Sequence, residues 1–248
     1  MWPSFVINLV DNSARLQNSA AQFEAQQIDY SVIEAVNGWQ MSGEDIRQVY
    51  DADKNAAHAK APLVRPEIGC YLSHIKAWQK IADGTAAGGF IFEDDFQADD
   101  SLGGVLRALS ENGQTWDMVK LFSFEQSPRI IAAKPLGKSH QLVTPYRVPT
   151  CLIGYGLTKA AARRLVSRVP KFFRPVDEDQ KFFWETGLSV ALVLPSPILV
   201  GDQQTVTGTI GAERRRLKPG SPGSLLSSLV YRLNYTLRLH YHRAKGMK

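Results

Sequence analysis

Cysteine is scarce in this chain, with Cys70 and Cys151 the two present among 248 residues. A framework of several disulfides is therefore excluded, since one bridge at most could form. The apolar start of the sequence, residues 1–10, follows no basic leader and is too short for a signal peptide or a bilayer span. These absences predict a protein of a reducing, cytoplasmic compartment.

Glycine-rich phosphate loops are missing as well. Neither the G-x-G-x-x-G pattern of dinucleotide-binding folds nor the P-loop pattern G-x-x-x-x-G-K-[ST] occurs. This disfavours nicotinamide-dependent dehydrogenases and P-loop enzymes. The hydrophobic content of 44% is enough for a substantial core, most simply that of one domain with a tail.

Acidic residues are absent from the end of the chain. Residues 214–248 hold nine Lys and Arg and no Asp or Glu. The whole chain has 29 basic and 24 acidic residues, so residues 1–213 keep 20 basic and 24 acidic ones, a net charge of −4 against +9 for the tail. A basic tail on an acidic body indicates a polyanionic partner, either nucleic acid or anionic lipid.

Large apolar residues in this tail recur every four positions, which is the spacing of one helical stripe. Flanking arginines make the pattern typical of a helix that lies in the headgroup region of a membrane, although the stripe could instead dock on the protein's own body. We predict a domain over residues 1–210 and a basic amphipathic tail over 211–248, with an anionic membrane surface as partner and nucleic acid disfavoured. The stripe comprises Leu225, Leu229, Leu233, Leu237 and Tyr241, widened by Leu226 and Val230 and flanked by Arg232, Arg238 and Arg243.

Strand and helix patterns alternate through the body, which predicts an α/β fold with a mostly parallel sheet and helices on both faces. Ligands of such sheets gather outside the carboxyl ends of the strands, where Asn8, Asp11 and Asn37 fall. The predicted strands are 5–10, 30–36, 90–92, 118–122 and 190–194; the predicted helices are 13–27, 66–82 and 178–185, with a short surface helix inside 43–60.

Three consecutive carboxylates, Glu93, Asp94 and Asp95, end one of these apolar runs. Adjacent negative charges repel one another, so the arrangement is costly unless a cation or a set of donors sits among them. Oxygen ligands select a hard cation such as Mg²⁺ or Mn²⁺, which indicates a nucleoside diphosphate compound as substrate. The alternative is that Asp94 or Asp95 only caps the next helix.

Six short motifs then follow one another along about residues 4–205: FVINL at 5–9 with Arg15, AVNG at 35–38, EIGCYLSH at 67–74, FEDD at 92–95, GYG at 154–156 and PVD at 175–177. In this order they resemble family 25 glycosyltransferases, the bacterial lipopolysaccharide and lipooligosaccharide galactosyltransferases in particular. The resemblance implies a GT-A type, Rossmann-like fold. It also implies inverting transfer of galactose from UDP-galactose, with Mn²⁺ or Mg²⁺, to a lipid-linked oligosaccharide at the inner face of the cytoplasmic membrane.

The resemblance also suggests roles for single residues. Asp95 would bind the metal directly and Glu93 would be a second or water-mediated ligand, while alternation along the strand turns Asp94 toward the ribose or sugar. For the third ligand, Asp202 and Gln203 lie where a further family element is expected. The other proposed donor-site residues are Asn8, Asp11, Arg15, Asn37, His74, Gly154 and Tyr155.

Several of these residues also have a purely structural interpretation. Arg15 could be a solvated cation of a helix face, and His74 could be a core histidine rather than a donor beside the diphosphate. The GYG motif would present backbone near the sugar, or it is simply a strand-to-helix turn.

Inverting transfer also needs a base for the acceptor hydroxyl, and Asp177 is the candidate. Glu178 and Asp179 are close enough to exchange roles with it, and Asp177 could also be an ordinary N-cap.

Three other functions stay open at this point. The chain could transfer glucose or N-acetylhexosamine with the same machinery, because no short motif reveals the orientation of a sugar hydroxyl. It could also be a noncatalytic UDP-sugar or glycan-binding homologue. If the resemblance misleads, it could be a metal-dependent nucleotidyltransferase or a nucleic-acid-associated protein.

Overall fold

The computed structural model describes residues 1–111, 114–168, 171–201, 214 and 222–246, the side chains of 222–227 excepted. Its strands are β1 Ser4–Asn8, β2 Tyr30–Glu34, β3 Gly88–Glu93, β4 Phe96–Ala98, β5 Met118–Lys120, β6 Ile130–Leu136, β7 His140–Pro145, β8 Gly154–Thr158, β9 Val190–Leu194 and β10 Ile198–Val200. Its helices are α1 Ser13–Ala25, α2 Gly43–Val49, α3 Ala52–His58, α4 Arg65–Asp83, α5 Leu102–Glu111, α6 Lys159–Ser167, α7 Val176–Gln180, α8 Phe183–Thr186 and α9 Pro222–Ala244.

Eight of these strands form one sheet in the order β2-β1-β3-β8-β5-β9-β7-β6, and β4 pairs with β10 beside it. Strand β1 runs parallel to β2 and β3, and β5 runs parallel to β9. Strand β8 is antiparallel to both of its neighbours, and the β6–β7 hairpin adds an antiparallel edge. The predicted α/β class is therefore confirmed, with a sheet that is mixed. The β6–β7 hairpin was not predicted.

The two faces of the sheet carry separate hydrophobic clusters, because side chains alternate along each strand. Ile7 and Ile91 belong to the cluster under α4 and α6, whereas Val6 and Phe90 belong to the one under α1 and α5. Helices therefore cover both faces, as predicted. Strands β1 and β3 run parallel, so their carboxyl ends lie side by side, with Ile7 near the end of β1 opposite Glu93 at the end of β3.

Helix α4 begins at Arg65, so Gly69 lies inside the helix and not at its start. Gly69 lacks a side chain because the chain after β2 lies against it: a Cβ there would be 2.4 Å from the Val36 carbonyl oxygen and 2.6 Å from the Gly38 nitrogen. The Asn37-Gly38 turn and the Gly69 motif thus form one close backbone contact.

Helix α9 lies on the body of the protein. Tyr231, Tyr235 and Leu239 are buried in the same cluster as α4 and α6, so this part of the predicted tail shares its core with the predicted domain 1–210. Leu229 and Leu233 of the predicted stripe are exposed, and the alternative that these leucines dock on the body is wrong. Leu225 and Leu226 lie outside the described side chains. In the described residues, none of the helices has the length and apolarity needed to cross a bilayer.

Candidate functional site

Asp94 is held by the first strand–helix unit. Asn8 Nδ2 donates to Asp94 Oδ2 at 2.7 Å, and Arg15 Nη1 donates to Asp94 Oδ1 at 3.0 Å. The hydroxyl of Ser19 donates to the Asp94 carbonyl at 3.2 Å. Burial raises the pKa of Asp94, and Arg15 and Asn8 oppose that rise. The three predicted site residues Asn8, Arg15 and Asp94 therefore form one cluster, in which Asp94 fixes the turn after β3. That any of them touches the donor stays a prediction.

Asp95, the next residue, is buried without such compensation. Its Oδ2 lies 3.9 Å from Arg15 Nη1, while its buried Oδ1 has no hydrogen-bond partner among the residues described. Burial, and then the Glu93 charge, raise the pKa of Asp95 to about 7; Arg15 opposes this and Asp94 adds to it. A carboxylate oxygen that is desolvated, unpaired and close to other carboxylates suits a divalent cation, so the donor set fits Mg²⁺ or Mn²⁺.

The carbonyl oxygen of Asp95 accepts a 2.7 Å hydrogen bond from the Gly201 nitrogen. The chain after β10 therefore returns to the carboxylates. Asp202 and Gln203, the expected source of a third ligand, lie outside the described residues.

Glu93 ends a buried chain of hydrogen bonds. Trp78 Nε1 donates to Tyr155 Oη at 2.7 Å, Tyr155 Oη lies 2.8 Å from His74 Nδ1, and His74 Nε2 lies 3.1 Å from Glu93 Oε1. Because the indole can only donate, the tyrosine proton is left for His74 Nδ1. We therefore assign the neutral histidine with its proton on Nε2, which donates to Glu93.

This arrangement bears on two predictions. His74 and Tyr155 are fully buried, and both ring nitrogens of His74 are occupied by Tyr155 and Glu93. These contacts favour the core-histidine interpretation, and a direct contact of either side chain with the donor stays a prediction. His74 holds Glu93 in place, as outer hydrogen-bond partners do for metal-binding carboxylates.

The GYG motif is the central strand β8, not a turn that presents backbone to a ligand. A Cβ at Gly154 would lie 2.3 Å from Ile198 Cδ1 and 3.1 Å from Phe92 Cδ1. Gly154 is thus required for packing, and the prediction that it also binds substrate stays a prediction. Thr158 at the end of β8 caps the next helix, α6, because its hydroxyl accepts a hydrogen bond from the Ala161 nitrogen.

Asp11 and Asn37 lie at the predicted edge of the sheet. Asp11 is exposed in the turn after β1, and the Asn37 side chain accepts a 3.0 Å hydrogen bond from the Trp39 nitrogen. In the described residues, neither side chain forms a hydrogen bond with the carboxylates of Glu93, Asp94 or Asp95, so their role in donor binding stays a prediction.

Asp177 lies in the first turn of α7, whose N-cap is Pro175, so the N-cap interpretation of Asp177 is wrong. Its Oδ2 accepts from the Cys151 nitrogen at 3.1 Å, and its Oδ1 accepts from the Glu178 nitrogen at 2.8 Å. Asp177 is partly exposed. Two backbone donors therefore orient a carboxylate that keeps access to solvent.

The two neighbouring carboxylates have other partners. Glu178 accepts from Lys60 Nζ and Tyr231 Oη, both at 2.6 Å. Asp179 accepts from Tyr71 Oη at 2.8 Å and lies 3.1 Å from Arg174 Nε. Both are thus engaged in holding helices together, and the structure favours Asp177 over either of them as the reactive carboxylate.

Cys70 lies among the carboxylates of the two segments. Burial, followed by the charges of Glu93, Asp177, Glu67 and Asp95, raises the pKa of its thiol well above the usual value. These four carboxylates therefore converge on one region. The Cys70 sulfur lies within 4.8 Å of ligand atoms of His74 and Glu93, but a thiol kept protonated is a poor ligand for a hard cation.

Lys120 is a site residue that the sequence analysis missed. It is fully buried, and its Nζ donates to the carbonyls of Pro149 and Cys151, the latter at 2.7 Å. Burial lowers its pKa to about 8. Because Cys151 in turn donates its N–H to Asp177, the ammonium fixes the loop that orients this carboxylate. The sequence signal that could have indicated Lys120 was its position as a charged residue inside the apolar predicted strand 118–122.

Fold and site together define an α/β protein with a buried carboxylate cluster at the carboxyl edge of its sheet. A family model described as "Glycosyltransferase family 25 (LPS biosynthesis protein)" matches residues 1–179. The chain therefore belongs to glycosyltransferase family 25.

Curated relatives show the same similarity. "Inactive glycosyltransferase 25 family member 3" from Homo sapiens is 28% identical over 182 residues, which cover 70% of this chain and 30% of the relative. "Procollagen galactosyltransferase 1-A" from Xenopus laevis is 29% identical over 184 residues, with the same two shares. The chain thus spans less than a third of the length of these relatives.

Proposed function

We propose that this protein is a metal-dependent, inverting glycosyltransferase that transfers galactose from UDP-galactose to a lipopolysaccharide or lipooligosaccharide acceptor. The observation that carries the proposal is Asp95, a buried carboxylate with an unpaired oxygen beside Glu93 at the edge where ligands of such sheets bind. Family membership and the name of the Xenopus relative, a procollagen galactosyltransferase, support the galactosyl donor.

Glu93 and Asp95 would hold Mn²⁺ or Mg²⁺. When bound, the metal would supply positive charge to the departing UDP. The protein's own part is to keep the two ligands in place: His74 donates to Glu93, and Arg15 and Asn8 lock the intervening Asp94. Arg15 Nη1 lies 3.9 Å from Asp95 Oδ2, and its planar set of N–H groups suits a phosphate oxygen of the donor.

Asp177 would remove the proton of the acceptor hydroxyl as that oxygen attacks the anomeric carbon. Its two oxygens accept hydrogen bonds from the backbone nitrogens of Cys151 and Glu178, so the carboxylate is held in a fixed orientation. The shared effect of Asp177, Glu93 and Asp95 on the Cys70 thiol supports a common site. A cytoplasmic location at the inner membrane face is the setting proposed for a lipid-linked acceptor.

A noncatalytic homologue is the second candidate, because the human relative is named inactive. A glucosyl or N-acetylhexosaminyl donor is the closest variant of the first. A panel of UDP-galactose, UDP-glucose and UDP-N-acetylglucosamine, assayed with Mn²⁺ and again in excess EDTA, separates these possibilities. We expect UDP release from UDP-galactose that EDTA abolishes.

The matched control is Asp100→Asn, which removes an exposed carboxylate from the turn after β4. This variant should keep full activity, whereas Asp95→Asn should lose it. Turnover in excess EDTA would contradict the metal dependence, and binding of UDP-galactose without turnover would favour the noncatalytic homologue.

A further inference from the structure

Helix α9 has two apolar faces, and one of them is covered by the protein itself. Tyr231, Tyr235 and Leu239, four residues apart, are buried to 8%, 8% and 0% exposure. The Tyr231 hydroxyl donates to Glu178 at 2.6 Å, and the rings of His242 and Trp184 stack with centroids 5.1 Å apart.

Contacts near the end of α9 fix its rotation on the body. Arg243 donates to the carbonyls of Pro145 at 2.8 Å and Tyr146 at 2.9 Å, and its guanidinium lies 4.0 Å from the centre of the Phe183 ring. Turning the helix over would break these contacts and uncover the buried tyrosines. The outward direction of the opposite face is therefore part of the native fold.

The opposite face is apolar as well, and it is exposed. At 100° per residue its members span about 120° of the helix, a continuous stripe and not scattered single residues. They are Leu229 at 55% exposure, Val230 at 48%, Leu233 at 55%, Leu237 at 67% and Tyr241 at 54%.

The charges beside this stripe indicate which kind of partner it would bind. Arg232 and Arg238, both exposed, lie about 60° beyond its two borders, and α9 contains no acidic residue. Arg238 also lies 3.7 Å from Glu185 of α8. An apolar stripe with an exposed arginine beyond each border matches the interface of an anionic bilayer, where the leucines enter the acyl boundary and the cations remain among the headgroups. A second copy of the same helix would instead bring like charges together.

We propose that the exposed face of α9 docks on an anionic lipid membrane and orients the protein there. The body-facing side of α9 is bonded to Glu178, which adjoins Asp177 in α7. If the proposed function holds, docking would thus place α7, which carries Asp177, close to the membrane that holds the lipid-linked acceptor. The binding itself requires no donor sugar, so it can be tested apart from the proposed activity.

The test uses flotation of the full chain with vesicles of phosphatidylcholine, with and without phosphatidylglycerol. The variant Leu229→Ser/Leu233→Ser/Leu237→Ser should bind the anionic vesicles at least roughly 30-fold more weakly, because it removes most of the apolar area and no charge. Its melting temperature should match that of the wild type, since all three side chains are exposed. The control Val32→Ser removes an exposed side chain on the opposite edge strand β2 and should bind as the wild type does.

A second variant, Arg232→Glu/Lys245→Glu, keeps the leucines and reverses two exposed positive charges, that of Arg232 and that of Lys245 just after the end of α9. It should bind anionic vesicles more weakly and should lose most of the salt dependence of binding. Wild-type binding by the triple Ser variant would overturn the proposal, as would equal binding of the intact protein to neutral and anionic vesicles. A protein that is dimeric without vesicles and monomeric after the triple substitution would assign the face to a second copy, and a large loss of melting temperature would assign it to the core.

Discussion

Two segments of this protein each place three carboxylates in a row, Glu93-Asp94-Asp95 after β3 and Asp177-Glu178-Asp179 in α7. They differ in how their charge is compensated. In α7, burial would raise the pKa of Glu178, but Lys181, Lys60 and Tyr231 together lower it. After β3, burial and Glu93 raise the pKa of Asp95 to about 7 in spite of Arg15.

We interpret this difference as a division between carboxylates that stabilise the fold and a carboxylate that is proposed to bind a ligand. Glu178 and Asp179 bind cations and hydroxyls of other elements, so they stabilise the packing of α7. Asp95 is desolvated without enough donors, a cost that a protein retains where a ligand completes the site. Asp177 lies between these cases, oriented by backbone N–H groups and partly exposed.

The largest expected effect follows from Asp95→Asn. Transfer should fall on the order of 10³-fold, because the metal would lose its direct ligand. The metal-free variant should melt at or above the wild-type temperature, since an uncompensated buried charge is removed. A UDP-release assay checks the loss of transfer, and calorimetry with and without Mn²⁺ checks the stability: the wild type should gain stability on adding metal, and the variant should not. A variant with normal Mn²⁺ stabilisation would show that the cation lies elsewhere.

Asp177→Asn and Asp179→Asn sharpen the contrast inside α7. The first should lower kcat by about 10²- to 10⁴-fold with little change in UDP-sugar affinity. The second should instead lower the free energy of unfolding by about 2–3 kcal/mol, because it leaves the buried Arg174 short of one counter-charge. Steady-state kinetics and urea unfolding of both variants test this. Loss of kcat in Asp179→Asn at unchanged stability would reverse the two roles.

Lys120→Met tests whether Lys120 holds the loop whose Cys151 nitrogen donates a hydrogen bond to Asp177. Two buried carbonyls lose their donor, so we expect a loss of about 2 kcal/mol in the free energy of unfolding. The pKa of Lys120 is about 8 in the folded protein and about 10.5 for an ordinary lysine. Between these two pH values the unfolded state therefore binds more protons than the folded state. Wild-type stability therefore gains with pH across that window and the variant lacks the gain. Urea titrations at several pH values should show the difference between the two proteins widening; a constant difference would contradict the lowered pKa.

Tyr155→Phe carries the smallest expected effect. It removes the acceptor of Trp78 Nε1 and the donor to His74 Nδ1, at a cost of about 1–3 kcal/mol in unfolding free energy. Activity should fall less than tenfold, because Glu93 itself remains. The ¹⁵N spectrum of the His74 ring should show a single Nε2–H tautomer in the wild type and a mixture in the variant. An unchanged spectrum would mean that Tyr155 does not set the tautomer.

Local pattern predicted a large part of the fold. The helices near residues 13–25 and 65–83 and the strand 190–194 follow from hydrophobic periodicity, and the structure has them within a few residues. The position of the acidic triplet at the carboxyl edge followed from the end of an apolar run. The direction of β8 and the β6–β7 hairpin did not follow, since pairing direction depends on strands distant in the sequence.

In the site, the sequence by itself determined which residue types could do the chemistry, and tertiary contacts decided which of them are available. His74 meets Tyr155 81 positions away, and Asp94 meets Arg15 79 positions away. Such partners neutralise or bury one residue of a motif and leave the charge of its neighbour without hydrogen-bond donors. The spacing of residues within a motif cannot predict this, because the partners are distant in the sequence.

Helix α9 shows the same division. Periodicity predicted a helix with one apolar stripe, that of the leucines. The buried residues Tyr231, Tyr235 and Leu239 also recur every four positions, but they were not predicted as a stripe. Only contact with Glu178 and Trp184 decided which stripe faces the body, because docking depends on the shape and charge of a surface that other segments build.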